Sequence, residues 1–483
     1  MIREKPLVVI NVIKQKVDLR SEQLFGFIWL VFTLIQLDRH VFFQDEHNSW
    51  LIAKSNHSLS DFFEITRSEG RPPTYFLILK GLNFFTDASE APKIITAIAA
   101  IIFFYAVAFS EYLSSSTKHF IFALLPFFQI YFLFSREYPL ILATLAMLSN
   151  WGLFNGKNTK RISTGLLILA SFNVFGWLIG FTVFVARLFH VFKNNSTSVF
   201  KQKYLHKSLP LLILFLILAT MIPPKGSHVI DPSIPRSLNG VGLKISYSYQ
   251  NMLSIHEGIF HGEIDSSKAA LILFPVVGIL LSVLIGVQLW KAKSNNFFMY
   301  LFFQLVVHAY WIIGHAPMWW HTRLNLLFCL LLASTTIGIK TRSVPWLFAI
   351  GVLVITGVFA LRDLYFLKDF SKSKSAVGII ERECGRQCQV FVEDHIRGAA
   401  ISGYLQSPVF FLDKQKSGTH FDWKSPSNPD WNFEDVKENL SSQRDVVVVI
   451  SQRRDIDPRF VLVGSALGGV WRSEDFYVYK YVP

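Results

Sequence analysis

In the stretch Val41–Trp50, "VFFQDEHNSW", Asp45, Glu46 and His47 stand side by side directly after an apolar run from Leu24 to Leu37. A carboxylate held near lipid sits in reduced dielectric, which is the setting of a working base. The flanking "SWLIAK" and "LSDFFEI" carry Trp50, Leu51, Ile52, Phe62, Phe63 and Ile65, a composition suited to helices lying in a membrane interface. The competing reading is a pair of solvated interface carboxylates.

A second set of residues adds positive charge. "EGRPPTYFLILKGL" (Glu69–Leu82) sets Arg71 before a fixed Pro-Pro turn and an aromatic, apolar helix. "FLFSREYPLILATLAML" places Arg136, Glu137 and Tyr138 where one apolar helix ends and the next begins. "GHAPMWWHTRLNLLF" adds His315, His321 and Arg323 at the same end of its helix. Arginine at the end of a span can be a snorkelling anchor. Several cations converging on one face instead point to an anion site, with phosphate as the expected ligand.

The elements that position these residues follow from composition. Only 17% of the 483 residues are charged and 51% are hydrophobic, where a soluble chain carries about a quarter charged. A polytopic membrane protein is expected. The +13 net charge collects in short loops between apolar segments, so it argues for topology and not for nucleic acid. No cleavable signal peptide is expected in the basic stretch Met1–Arg20. Eleven spans are read at 22–40, 91–110, 119–135, 138–153, 162–176, 177–192, 208–222, 269–290, 297–313, 322–339 and 345–361.

Segment 74–86 is apolar but short, and carries Lys80 and Asn83. Counting it as a span would put Lys157/Lys160/Arg161, Lys291/Lys293 and Lys340/Arg342 outside, against the positive-inside rule. It is therefore read as a re-entrant or interfacial helix on the outer face. Outside then fall 38–90, 223–268 and everything after Arg362. The tail, 371–483, alternates strand-like and helix-like stretches: "CQVFVED", "HIRGAAISGYL", "PVFFL", "DVVVVIS", "RFVLVGS" and "FYVYKYV". This is the pattern of a small α/β domain. "SKSKS", Ser371–Ser375, reads as the hinge before it.

Cys329 lies within a span and is read as packing. Cys384 and Cys388 are close enough for a disulfide in an oxidising compartment, with unpaired structural thiols expected ahead of that pairing. No cofactor is expected, and nothing indicates a divalent cation.

The order of these features resembles the GT-C superfamily of glycosyltransferases: Asp-Glu in a first long outer loop, a Pro-Pro-x-Tyr turn, "SREYPL", then an arginine-bearing "HTRLNLL" late in the membrane. Within it the chain is similar to the protein O-mannosyltransferase and aminoarabinose-transferase branch. The likeness covers about 22–361 and weakens in the tail. It implies a 1–361 membrane domain whose first outer loop, 38–90, is catalytic. It further implies inverting transfer of a sugar from a polyprenyl-phosphate carrier to an extracytoplasmic lipid, glycan or protein acceptor. By that resemblance Asp45 is the base and Glu46 shapes the site, while Arg71, Arg136, Tyr138, His321 and Arg323 hold the donor phosphate. The chain departs from the family at Arg71, where histidine often precedes the Pro-Pro pair; this keeps a cation but removes a titrating group.

The expected location is a bacterial inner membrane, multi-pass, with the site and the C-terminus on the periplasmic side. The alternative is a transporter or flippase of lipid-linked sugars. Such proteins usually carry internal repeats and ionisable residues near mid-span, neither of which stands out here. An inactive, glycan-binding relative is a third reading.

Overall fold

The computed structural model describes residues 21–55, 57–153, 159–194, 205–222, 268–292, 296–313, 319–337, 369–385, 388–421, 431, 435–436, 439, 445–453, 457–469 and 472–482. The chain is mainly helical, with a small mixed sheet near its C-terminal end.

Apolar runs become helices wherever proline, glycine or charge breaks them. The first is α1 (Ser21–Arg39). It is followed by three short helices: α2 (Gln44–Lys54), α3 (Leu59–Ser68) and α4 (Thr74–Asn83). Then come α5 (Pro92–Ala108), α6 (Ser115–Phe128), a 3-10 turn at Gln129–Phe132, α7 (Tyr138–Asn150), α8 (Thr159–Ala170) and α9 (Val174–Asn194). The bundle continues with α10 (Leu205–Met221), α11 (Lys268–Lys291), α12 (Asn296–Ile313) and α13 (Trp319–Ile337). The expected spans within the described residues fall largely on these helices, but 119–135 runs on through the 3-10 turn into the next loop and 162–176 crosses the turn between α8 and α9; 345–361 lies outside the described residues. Among the described residues no single helix is long and apolar enough to cross a membrane alone. The pair α1 and α2, bent by 77° at the break between them, is so only when taken together. Segment 74–86 holds the ten-residue α4, about 15 Å long and well short of a bilayer core.

One core runs through the bundle, built from residues such as Trp29, Phe103, Phe128, Ile141, Leu169, Ile179, Phe303 and Leu327. Within it Gln129 ties the 3-10 turn to α1. It accepts from Trp29 Nε1 at 2.8 Å and donates to Thr33 Oγ1 at 2.9 Å and Gln36 Oε1 at 3.1 Å. Buried side-chain amides need such partners, so this seam fixes the height of the loop that follows, residues 133–137. Cys329 packs here as expected, with Gln304 Nε2 3.3 Å from its sulfur.

The tail is the expected α/β domain. It comprises α14 (Ser373–Cys384), β1 (Gln389–Val392), α15 (His395–Leu405), β2 (Val409–Phe411), β3 (Lys416–Gly418), β4 (Val446–Ile450), β5 (Phe460–Ala466) and β6 (Phe476–Tyr481). The sheet order is β3-β2-β1-β4-β6-β5. Strands β2, β1 and β4 are parallel, and the remaining pairs are antiparallel. β4, "VVVVI", is buried along its whole length, as a central strand covered on both faces must be. Strand β3 was not legible as a strand.

Two expectations are corrected. Ser371–Ser375 is no hinge: Ser371 and Ser373 are buried, and α14 begins at Ser373. Their hydroxyls bond each other at 2.7 Å, and Ser373 Oγ donates to Phe42 O at 3.2 Å. Cys384 and Cys388 are not unpaired thiols but form a disulfide between the end of α14 and the start of β1.

Candidate active site

The site is assembled where α2, the α3–α4 turn and the loop before α7 meet. Phe43 is the N-cap of α2, so Asp45 and Glu46 fall in its first turn, where the helix dipole favours negative charge. The two carboxylates then diverge. Glu46 is fully buried: its Oε2 accepts from Phe43 N at 3.1 Å and meets His40 Nε2 at 2.8 Å, while Oε1 accepts from Ser135 N at 2.6 Å. It caps its own helix and pins the loop carrying Arg136. Its partners are separate from those of Asp45, and the ring it meets is that of His40.

The turn after α3 is a helix C-terminus closed by glycine. Gly70 has φ 67°, with Gly70 N bonded to Arg67 O at 3.0 Å and Arg71 N to Thr66 O at 3.4 Å. This double closure needs a residue free to adopt the left-handed region, and it sets Glu69 and Arg71 on either side of that residue. From α4, Tyr75 Oη donates to Ser135 O at 2.5 Å, so the Arg136 loop is held from α2 and α4 at once.

Arg136 Nη1 forms an ion pair with Asp45 Oδ2, and Arg136 Nε lies 3.6 Å from Glu137 Oε2. Arg71 lies 3.9 Å from Glu69 Oε2 and 3.8 Å from Glu137 Oε2; its Nη1 makes no hydrogen bond among the described residues. Asn48 Nδ2 donates to Glu69 at 3.2 Å and Asn173 Nδ2 to Glu137 at 3.3 Å. Burial and then the charge of Asp45 push the Glu69 carboxyl above its ordinary range, against the pull of Arg136 and Asn48. Burial opposes the charge of Arg136, but Asp45, Glu137 and Glu69 hold its pKa above the ordinary value. Three carboxylates thus face two guanidiniums, and the charges balance when Glu69 carries a proton. Of the three acids, Asp45 reaches solvent: its side chain is 24% exposed, against 3% for Glu69 and 2% for Glu137.

Continuing from Glu137, Tyr138 Oη lies 3.2 Å from His321 Nε2, and the His321 ring stacks on Phe175 at 4.3 Å. Arg323 is 0% exposed, within the bundle beside Tyr131. The structure therefore joins Asp45, Arg136 and Arg71 in one charged network through Glu69 and Glu137, sets the Tyr138–His321 pair next to it in the chain, and buries Arg323 within the bundle. His315 lies outside the described residues. Arg136 and Arg71 are both flanked by carboxylates. Glu69, Glu137, Asn48 and Asn173 were not singled out as site residues. A signal existed for Glu69, in the "SEGRPP" helix stop, and for Glu137, beside Arg136; none marked the two asparagines. Among the described residues no three histidine, cysteine or acidic side chains gather as metal ligands.

The tail packs directly on α2. Tyr404 stands over the His47 ring at 4.4 Å. A Cβ on Gly403 would lie 2.1 Å from His47 Nδ1, so only glycine admits this approach. The tail thus lies on the same side of the bundle as Asp45. No known protein family and no curated protein matches the chain.

Proposed function

We propose that the protein is a polytopic membrane glycosyltransferase that moves a sugar from a polyprenyl-phosphate carrier to a hydroxyl acceptor outside the cytoplasm, with Asp45 as the base. The observation that carries this reading is the Asp45–Arg136 pair: a solvent-reaching carboxylate held against a buried arginine at the mouth of a helical bundle.

In the reaction the acceptor oxygen attacks the anomeric carbon. The bond from that carbon to the phosphate oxygen breaks, its electron pair leaves with the phosphate, and Asp45 takes the acceptor's proton. Arg136 can serve both halves. At rest it occupies Asp45; when a donor enters, its guanidinium turns to the phosphate, where charge accumulates, and frees the carboxylate. Arg71, whose Nη1 is without a hydrogen bond among the described residues, is the second phosphate contact, with Tyr138 and His321 behind it.

Two further observations support the membrane and the side. Helices of the bundle are apolar on their outward faces as well as inward: α1 exposes Leu24, Phe27, Ile28, Val31 and Ile35, while α11 exposes Val276, Leu280, Val283 and Val287. Helices hydrophobic all round belong in lipid or in a large core. The Cys384–Cys388 disulfide fits an oxidising compartment for the tail.

The test is to incubate purified protein with a panel of polyprenyl-phosphate sugars and measure carrier release. Release is expected for one of them, and Arg71→Ala should raise the donor KM roughly 10–100-fold, the worth of a hydrogen bond to a charged group. No release from any carrier, with labelled lipid crossing vesicles instead, would replace the enzyme by the transporter.

A further inference from the structure

The tail holds the chain on both sides of Asp45, through backbone groups of Phe42 and Gln44 before it and side chains of His47, Asn48 and Leu51 after it. Phe42 N donates to Tyr404 Oη at 2.8 Å, and Phe42 O accepts from Ser373 Oγ at 3.2 Å. Gln44 N donates to Glu474 Oε1 at 2.7 Å. His47 packs under Tyr404, and Asn48 Oδ1 accepts from Phe421 N at 3.0 Å. Leu51 closes the series in a small cluster with Ala399 and Phe421. These contacts bracket Asp45 on both sides in sequence.

The first amides of a helix have no partner within it and must find one elsewhere. Glu46 supplies that partner for Phe43, from within α2. For Gln44, one peptide bond before Asp45, the partner comes from a residue 430 positions away in the chain. Glu474 is in turn fixed by Ser371 Oγ at 2.5 Å, a residue of the segment that resembled a hinge.

We propose that the tail is the socket that sets the position of Asp45, with Glu474 as its main positioning residue. This rests on Asp45 being the base. The tail then belongs to the catalytic geometry itself, where an acceptor-guiding domain would leave that geometry intact when removed. A displacement of about 1 Å at a reacting group can cost ~10²-fold in rate, so a loosened socket is felt at the chemistry.

Glu474 also has a protonation state that the test can use. Burial pushes its carboxyl up to about 8, with Asp45 and Glu46 of α2 adding to the rise and the bonds from Ser371 and Gln44 opposing it. The other charged groups nearby are committed elsewhere: Lys372 pairs with Asp369, and Arg397 of α15 pairs with Asp394 while donating to Ser473 O. At neutral pH the side chain is mostly uncharged, so glutamine is a close substitute.

The experiment measures amide hydrogen exchange over residues 42–48 together with donor hydrolysis and sugar transfer in the full-length protein. Glu474→Ala should speed exchange at Gln44 and lower hydrolysis and transfer together by ~10²-fold, with donor KM unchanged. Glu474→Gln should restore protection and most of the rate at pH 7, and remove the decline of the parent protein as pH rises through about 8. If Glu474→Ala proves too unstable, Tyr404→Phe removes the hydroxyl that accepts from Phe42 and donates to Glu90, and should expose the Phe42 amide. Unchanged exchange in the alanine variant, or a loss of transfer with hydrolysis intact, overturns the socket. A parent protein that turns over no donor would refute the enzyme reading, while exchange alone would still decide whether the tail holds α2.

Discussion

The helices before residue 338 and the sheet after residue 388 differ most in what they show on their outsides. On α5, Ile94, Ile98, Ile101 and Tyr105 point outward in a stripe, opposite an inward stripe of Ala99, Phe103 and Ala106. Both faces are apolar, so the helix has no face made for water. The tail buries β4 completely, and α14 covers the sheet with Ala376, Val377 and Ile380 while its outer side carries Lys374, Glu381 and Arg382. Among its described residues the large exposed apolar side chains are Val461, Leu462, Leu467 and Val482, on or beside the edge strand β5 and its neighbour β6. One region is apolar on its outward as well as its inward faces, and the other has an apolar inside and a more polar outside. The charged network of Asp45, Arg136, Glu69, Arg71 and Glu137 lies where the two meet. Under the proposed function, a lipid-borne donor and a water-borne acceptor would meet there.

The largest effect is expected at this seam. Asp45→Asn keeps the shape of the side chain but cannot take a proton, so transfer should fall by roughly 10²–10⁴-fold, the usual worth of a general base. Donor binding should survive, because the phosphate contacts are arginines. Glu46→Gln should act differently, loosening the Ser135 and Phe43 bonds and showing first in thermal stability. Normal transfer by the asparagine variant would reduce Asp45 to an interface carboxylate and move the transporter reading ahead.

The contrast between the two surfaces can be tested with one lysine on each. Val283→Lys, at an exposed position of α11, should cost about 2.5–3.5 kcal/mol if that face lies near the middle of a bilayer. Val461→Lys, on an equally apolar but water-facing strand, should stay within about 0.5 kcal/mol. Membrane-integrated yield and thermal unfolding in detergent would report both. Equal, small effects would mean that the outer face of the bundle meets water.

Much of this organisation was legible in the sequence because it depends on local pattern. Long apolar runs marked the helices, and alternating Val/Phe/Tyr segments marked five of the six strands of the tail. Residue types with a single strong chemistry, Asp45, Arg71 and Arg136, could be singled out. Convergence between distant segments could not. "SKSKS" has the composition of a linker, yet its hydroxyls find Glu474 and Phe42 across 103 and 331 residues. Glu46 and Asp45 are indistinguishable in sequence. They differ because position 46 is the third residue of α2, from which a side chain can reach back to the N-cap amide. For Arg136 and Arg71 only the sequence neighbours Glu137 and Glu69 could be read as partners; Asp45 beside Arg136 and Glu137 beside Arg71 come from other segments. Cysteine spacing allowed the disulfide, but only the close approach of the α14 end to β1 decides for it.

The smallest expected effect concerns the joint between the two regions, and it is read through pH. Burial pushes the His47 imidazole down to about 3; Glu90 opposes that shift, while His40, Lys374 and Lys93 reinforce it. In an undocked tail the ring would titrate near its ordinary 6.5. The docked state therefore binds fewer protons over this range, so docking is fully favourable above pH 6.5 and is lost as pH falls from 6.5 toward 3. One proton corresponds to a weakening of up to about tenfold per pH unit in that window. Amide exchange at residues 42–48 should speed up accordingly between pH 6.5 and 5, after correction for intrinsic exchange rates. His47→Gln removes the titrating ring and should flatten the dependence. Protection that stays constant over this range in the parent protein would mean that the tail holds α2 without relying on a neutral His47. The burden would then fall on Glu474, Tyr404 and Phe421.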